Sequence, residues 1–148
     1  MRLDNQTWVL VADGAKALTL VNEGDAEIMN LRRVAVEEEH HARTSDLGAD
    51  RPGRVHQSFS SSRSGVEQTD LHQQAESAFL RGVAHALDEA ARAGRFQKLV
   101  LVAPPRALAV LRDALGRECR DALVAELGKD LTAHTILDIE KALGAWAP

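Results

Sequence analysis

The chain has 148 residues, 45% of them hydrophobic and 27% charged, with a formal net charge of −4. That length fits a single domain over 1–148, and the composition is ordinary for a soluble globular protein. The acidic balance excludes a protein that coats nucleic acid generally, and no run approaches the roughly eighteen apolar residues of a membrane span.

Thr7 to Ala12 is a continuous apolar run of strand length, the pattern of a strand buried on both faces. Asp13-Gly14 then predicts a type I′ hairpin turn, because this pair accepts positive φ angles. Lys16 to Val21 is the return strand, Asn22 to Asp25 turns the chain again, and Ala26 to Val36 is a third strand. In it Ile28, Asn30, Arg32 and Val34 face one way, and Met29, Leu31, Arg33 and Ala35 the other.

His40 to Thr69 has no apolar periodicity and holds three of the six histidines, four arginines and six serines. So long a connection without regular structure is functional or disordered, and few large apolar anchors make it mobile. Leu71 to Ala93 is the clearest helix, with Leu71, Ala75, Phe79, Val83, Leu87 and Ala90 in one stripe. Asp70 is its expected N-cap, with Gln73 completing a capping box, and Gly94 sits where a left-handed C′ residue belongs. Gly82, mid-helix, is expected to permit close packing.

Lys98 to Ala103 is an all-apolar strand of the kind that lies parallel and central under helices. Pro104-Pro105 ends it and starts a helix that runs through Ala107 to Leu115 and closes at Gly116. Ala122 to Leu127 reads as a fifth strand, although Arg117 to Glu126 reads equally as helix. Thr135, with Asp138 three residues on, caps a last helix that stops at Gly144. The order is β-β-β-α-β-α-β-α, which gives an α/β fold with a mixed five-stranded sheet of ribonuclease-H-like topology.

Several blocks then resemble one family. They are Val11 to Ala17, Ser45-Asp46, Asp50-Arg51-Pro52-Gly53-Arg54, Thr69 to Glu76, Leu99 to Arg106 and Glu126 to Thr132. Together they resemble the bacterial host-attachment protein family, described as required for attachment to host cells. That domain is similar to the middle domain of archaeal and eukaryotic peptide-chain release factors and of the ribosome-rescue protein Pelota. In release factors the loop before the long helix carries a Gly-Gly-Gln tripeptide that enters the peptidyl-transferase centre. Here the corresponding stretch, Ser62 to Gln68, holds Gly65 and Gln68 but no such tripeptide. The resemblance therefore implies a non-enzymatic module facing the ribosome or tRNA, with host attachment as an indirect phenotype.

The residues give the same surface a chemistry of its own. Arg51 and Arg54 flank a Pro-Gly turn that presents both guanidinium groups on one side, and a planar guanidinium suits phosphate or carboxylate. With Arg43 and Arg63 they contact RNA backbone, or one of them pairs with Asp46 or Asp50 and pins the loop. The candidate binding set is Arg43, Asp50, Arg51, Gly53, Arg54, Arg63, Gly65, Gln68 and His72. Asp13, Lys16, Lys129 and Asp130 are secondary candidates, and a small metal-dependent hydrolase or nuclease with its site between the loop and Asp13 is the alternative. That chemistry needs two or three convergent carboxylates, and a hairpin turn already accounts for Asp13. Lys129-Asp130 reads as a structural pair. The histidines lack metal-ligand spacing, so no metal, cofactor or catalytic residue is assigned. Cys119, the single cysteine, has no neighbouring histidine or helix N-terminus and excludes an intrachain disulfide. Met1 to Gln6 has no apolar signal segment, so a cytoplasmic location is expected and an adhesive role is not.

Overall fold

The computed structural model describes residues 1–39 and 61–147, with the backbone alone at 61–67. The elements are β1 (Trp8–Ala12), β2 (Lys16–Asn22), β3 (Leu31–Glu38), α1 (Ser61–Arg92), β4 (Leu99–Val102), α2 (Pro105–Ala114), α3 (Arg117–Ala122), β5 (Leu123–Leu127) and α4 (Ile136–Ala145). They build one five-stranded sheet in the order β3-β2-β1-β4-β5. The pairs β1/β2 and β2/β3 are antiparallel, whereas β1/β4 and β4/β5 are parallel. The expected mixed α/β sheet is thus present, with one additional helix, α3.

The continuous apolar runs have a direct cause. Trp8, Leu10, Leu99 and Leu101 point into a core shared with α1, α2 and α3. Their alternating neighbours Val9, Val11, Val100 and Val102 meet Leu131, Ile139 and Leu143 on the other face. Both central strands are covered twice, so neither face can be polar. Trp8 packs on Phe96 with ring centroids 4.7 Å apart, and the Arg95 guanidinium lies 5.1 Å from the Trp8 ring.

Several expectations are corrected. The turn at Asp13-Gly14 is not type I′, because Gly14 does not have a positive φ. The Asp13 carboxylate shapes it instead: Oδ1 accepts from the backbone N–H groups of Ala15 and Lys16 at 2.7 and 2.8 Å. The third strand begins at Leu31, not Ala26, and runs to Glu38. Asp25 Oδ1 accepts from Glu27 and Ile28, and Asn22 Oδ1 from Gly24 and Asn30, which holds that stretch as a stapled loop. A register shift at Thr19/Leu20 further breaks the simple alternation on β3.

The long helix starts at Ser61 rather than Leu71, so Asp70 lies inside it and is no N-cap. The preceding turns carry no apolar stripe to betray them, and no proline interrupts them. Of the stretch expected to be structureless, 61–69 is helical, and 40–60 lies outside the described residues. At the other end Gly94 has φ +74°, and Gly94 and Arg95 donate to the carbonyls of Ala91 and Ala90, as a Schellman cap requires. Gly82 has no atom within reach of an added Cβ, so it does not serve packing. Gly116 closes no left-handed cap; its φ is −81° and it is the N-cap of α3. The alternative readings of Arg117 to Leu127 are both partly right, helix to Ala122 and strand from Leu123. Thr135 caps α4 as expected, accepting from Asp138 N–H at 3.1 Å, and the helix passes Gly144 to Ala145.

Candidate functional site

Three strands, β1, β4 and β5, run parallel, and their C-terminal ends open on the same edge of the sheet. At β1 the connectivity divides: β2 lies to one side through a hairpin, β4 to the other through α1. In open α/β sheets the crevice outside the strand ends at such a point is the ligand-binding position. A recess of about 150 Å³ lies there, with Gly14, Leu80, Pro104 and Ala107 among its walls and Gln73, Glu76, Ser77 and Arg106 supplying polar groups. It continues along α1 past Gln68, Thr69 and His72 in one direction, and beside Gln74 and Arg81 in the other. Gln73 and Arg106 line all three parts, so they form one polar groove at the head of the long helix.

Local structure explains how these groups arrive together. Residues 69, 73, 76 and 77 share one face of α1 by helical spacing. Proline at the first position of α2 stops β4 sharply and sets Arg106 at the mouth of the groove. No side chain caps that helix start, so its partial positive charge adds to Arg106. A Cβ placed on Gly14 would lie 2.2 Å from Glu76 Oε2, so the turn admits Glu76 only because residue 14 has no side chain. His72 Nε2 stands 3.7 Å from Glu76 Oε1 on the next turn.

Of the expected residues, Gln68 and His72 line this groove. Arg63 and Gly65 belong to the first turns of α1, where only the backbone is described. Arg43, Asp50, Arg51, Gly53 and Arg54 lie outside the described residues. Asp13 is a structural clamp: besides the turn, its Oδ2 accepts from the Thr132 hydroxyl at 2.8 Å. Asp130 meets the same hydroxyl at 2.8 Å and accepts Thr132 N–H at 3.1 Å. Its partner is thus Thr132, and the expected Lys129–Asp130 pair is not formed. The side chains of Lys16 and Lys129 have no hydrogen bond or ion pair among the described residues.

Among the described residues no group of three or more histidine, cysteine, aspartate or glutamate side chains could hold a metal. Cys119, contrary to expectation, does lie in the first turn of a helix, α3, but it is fully buried. Burial, reinforced by a hydrogen bond to Asp88, pushes its thiol up to about 12. It is therefore inert. Asp88 is buried on α1 and accepts Gly116 N–H at 2.9 and 3.0 Å, which ties α1 to the start of α3.

Sequence reasoning left Gln73, Glu76, Arg81, Arg106 and Thr132 out of the candidate site. The spacing of Gln73, Ser77 and Arg81 at four-residue steps was a visible polar stripe. Arg106 had no such signal, because only the fold brings it to α1.

A long helix entered after the third strand and a 3-2-1-4-5 mixed sheet make this an α/β protein consistent with a release-factor-like domain. Over residues 6–143 the chain matches the family model of bacterial archaeo-eukaryotic release factor family 12, and it belongs to that family. The release-factor likeness expected from the motif blocks is thereby borne out. No curated protein matches the chain.

Proposed function

We propose that this protein is a non-enzymatic, release-factor-like module that contacts the ribosome or tRNA through the head of α1. The observation that carries the reading is the polar groove from Gln68 to Arg81 with Arg106 at its mouth. It lies along the N-terminal two-thirds of the helix that follows, in the sequence, the arginine-bearing stretch with Arg51 and Arg54. Family membership makes translation-related partners the first to test. The absence of a Gly-Gly-Gln tripeptide separates this role from peptide release. In this reading the chain acts as one domain in the cytoplasm, and any effect on host attachment follows indirectly from altered translation. Among the described residues no helix is long and apolar enough to cross a membrane.

Ribosome co-sedimentation from lysate at low and high salt tests the proposal. Expected is a ribosome-bound fraction at low salt that declines as salt screens phosphate contacts. Protein that stays in the soluble fraction under both conditions would overturn it.

A further inference from the structure

The groove contains two cations without partners. Arg81, from the middle of α1, and Arg106, from the start of α2, line the same recess of about 310 Å³. Among the described residues neither makes an ion pair or a side-chain hydrogen bond, whereas Arg32, Arg112 and Arg117 each hold a carboxylate. Two guanidinium groups facing one recess repel each other until an anion with several acceptor oxygens enters between them. Asp70 lines this same recess and Glu76 the adjoining parts of the groove, but neither carboxylate forms an ion pair with Arg81 or Arg106. Asp70 lies eleven residues before Arg81, about 16 Å along the helix. Glu76 is directed to Gly14 and His72.

The shape selects the class of anion. From Gln68 to Arg81 the groove follows α1 for about 20 Å, too extended for a single small anion. Gln68, Gln73 and Gln74 line it with amides that both donate and accept, the property that lets glutamine meet base edges. Among the described lining residues there is no Phe, Trp or Tyr, and the imidazole of His72 is the one ring available for base stacking. Resting on the ribosome- or tRNA-facing reading, we infer that Arg81 and Arg106 clamp phosphates of a single-stranded RNA segment laid along α1, with the glutamines against its bases. The alternation of fixed positive charge and amide suits a strand in which phosphate and base alternate. An acidic peptide would use the arginines and leave the amides without base edges.

The test is fluorescence polarisation of a short dye-labelled single-stranded RNA with the full chain over a salt series. It compares the wild type with Arg81→Gln, Arg106→Gln and the double variant. Duplex RNA and polyglutamate serve as competitors, and thermal melts establish that each variant is folded. The expected result is binding whose log–log salt slope falls by about 0.7 for each arginine removed, about 1.4 for both. Competition by polyglutamate or duplex equal to that of the single strand would overturn the assignment of the ligand. Unchanged affinity and slope in a folded double variant would overturn the clamp. If the wild type ignores single-stranded RNA while still co-sedimenting with ribosomes, the inference falls and the broader proposal stands. Loss of co-sedimentation as well removes both.

Discussion

From Leu80 to Ala90, helix α1 buries Leu80, Val83, Ala84, Leu87 and Ala90 against the sheet, whereas from Gln68 to Phe79 it buries no residue. The two stretches belong to one helix and are stabilised differently. In chain order, the second, Leu80 to Ala90, is held by apolar burial and by Asp88, which reaches to the start of α3. The first is an extension whose helical form rests on continuity with the packed half and on its own backbone bonds. A rigid element anchored at one end can thus display polar side chains at the other without those side chains having to stabilise the fold. This division explains why the α1 side of the groove is rich in amides and hydroxyls. Apart from Glu76, which lies against Gly14, and Phe79, which packs on the core, that stretch carries few packing demands.

Leucine truncation should expose that contrast most strongly. Leu87 is 3% exposed and Leu71 is 59% exposed. Leu87→Ala is expected to lose about 2–5 kcal/mol through lost burial and a residual cavity. Leu71→Ala should stay within about 0.5 kcal/mol of wild type. Urea melts of the two variants measure the difference, and equal losses would break the comparison.

Next in size, Asp88→Ala leaves Gly116 N–H without its carboxylate in a buried setting. The expected cost is about 1–3 kcal/mol, with no change in any binding by the groove. Weakened binding in a variant that melts normally would mean that the two halves of α1 are coupled.

A smaller effect of opposite sign is expected on the exposed side of the packed half. Gly82 is solvent-facing with open space around its Cα, so Gly82→Ala should stabilise by about 0.5–1 kcal/mol. A decrease would show that an unseen contact requires glycine there.

The last effect concerns pH and is absent at neutral pH. The Cys119 thiol is raised from 9.0 to about 12 in the folded chain. Its ionised form is therefore favoured on unfolding. The stability associated with the neutral thiol is fully present below about pH 9 and is lost as pH rises toward 12. Thiol-reactive reagent at pH 8 should label Cys119 only after denaturant is added, and rapid labelling of the native protein would contradict its burial.

Strand topology was legible in the sequence because the cause of each apolar run is local. Trp8–Ala12 and Leu99–Val102 are covered on both faces, and such coverage leaves a continuous apolar signature. The caps at Gly94 and Thr135 were legible for the same reason, since each rests on one residue and its nearest turns. The first turns of α1 were not, because the sequence from Ser61 to Gln68 carries no apolar period. Half of the candidate site was hidden for a different reason. Gln68 and His72 flank one another on α1, but Arg106 enters from a helix thirty-four positions after His72. The Asp13 turn was placed correctly and its chemistry misjudged, since the carboxylate replaced the glycine dihedral as the device that closes it.

The approach of Glu76 to Gly14 has an evolutionary corollary. A hairpin turn and a helix position sixty-two residues apart occupy one volume, so the two sites cannot drift independently. A related chain that acquires a side chain at position 14 must shorten or redirect residue 76, and reversion of one should favour reversion of the other. Paired substitution at these two positions would be a record, written in other members of the family, of the same steric exclusion. Frequent bulky residues at both positions in one chain would show that the groove's floor is built differently there.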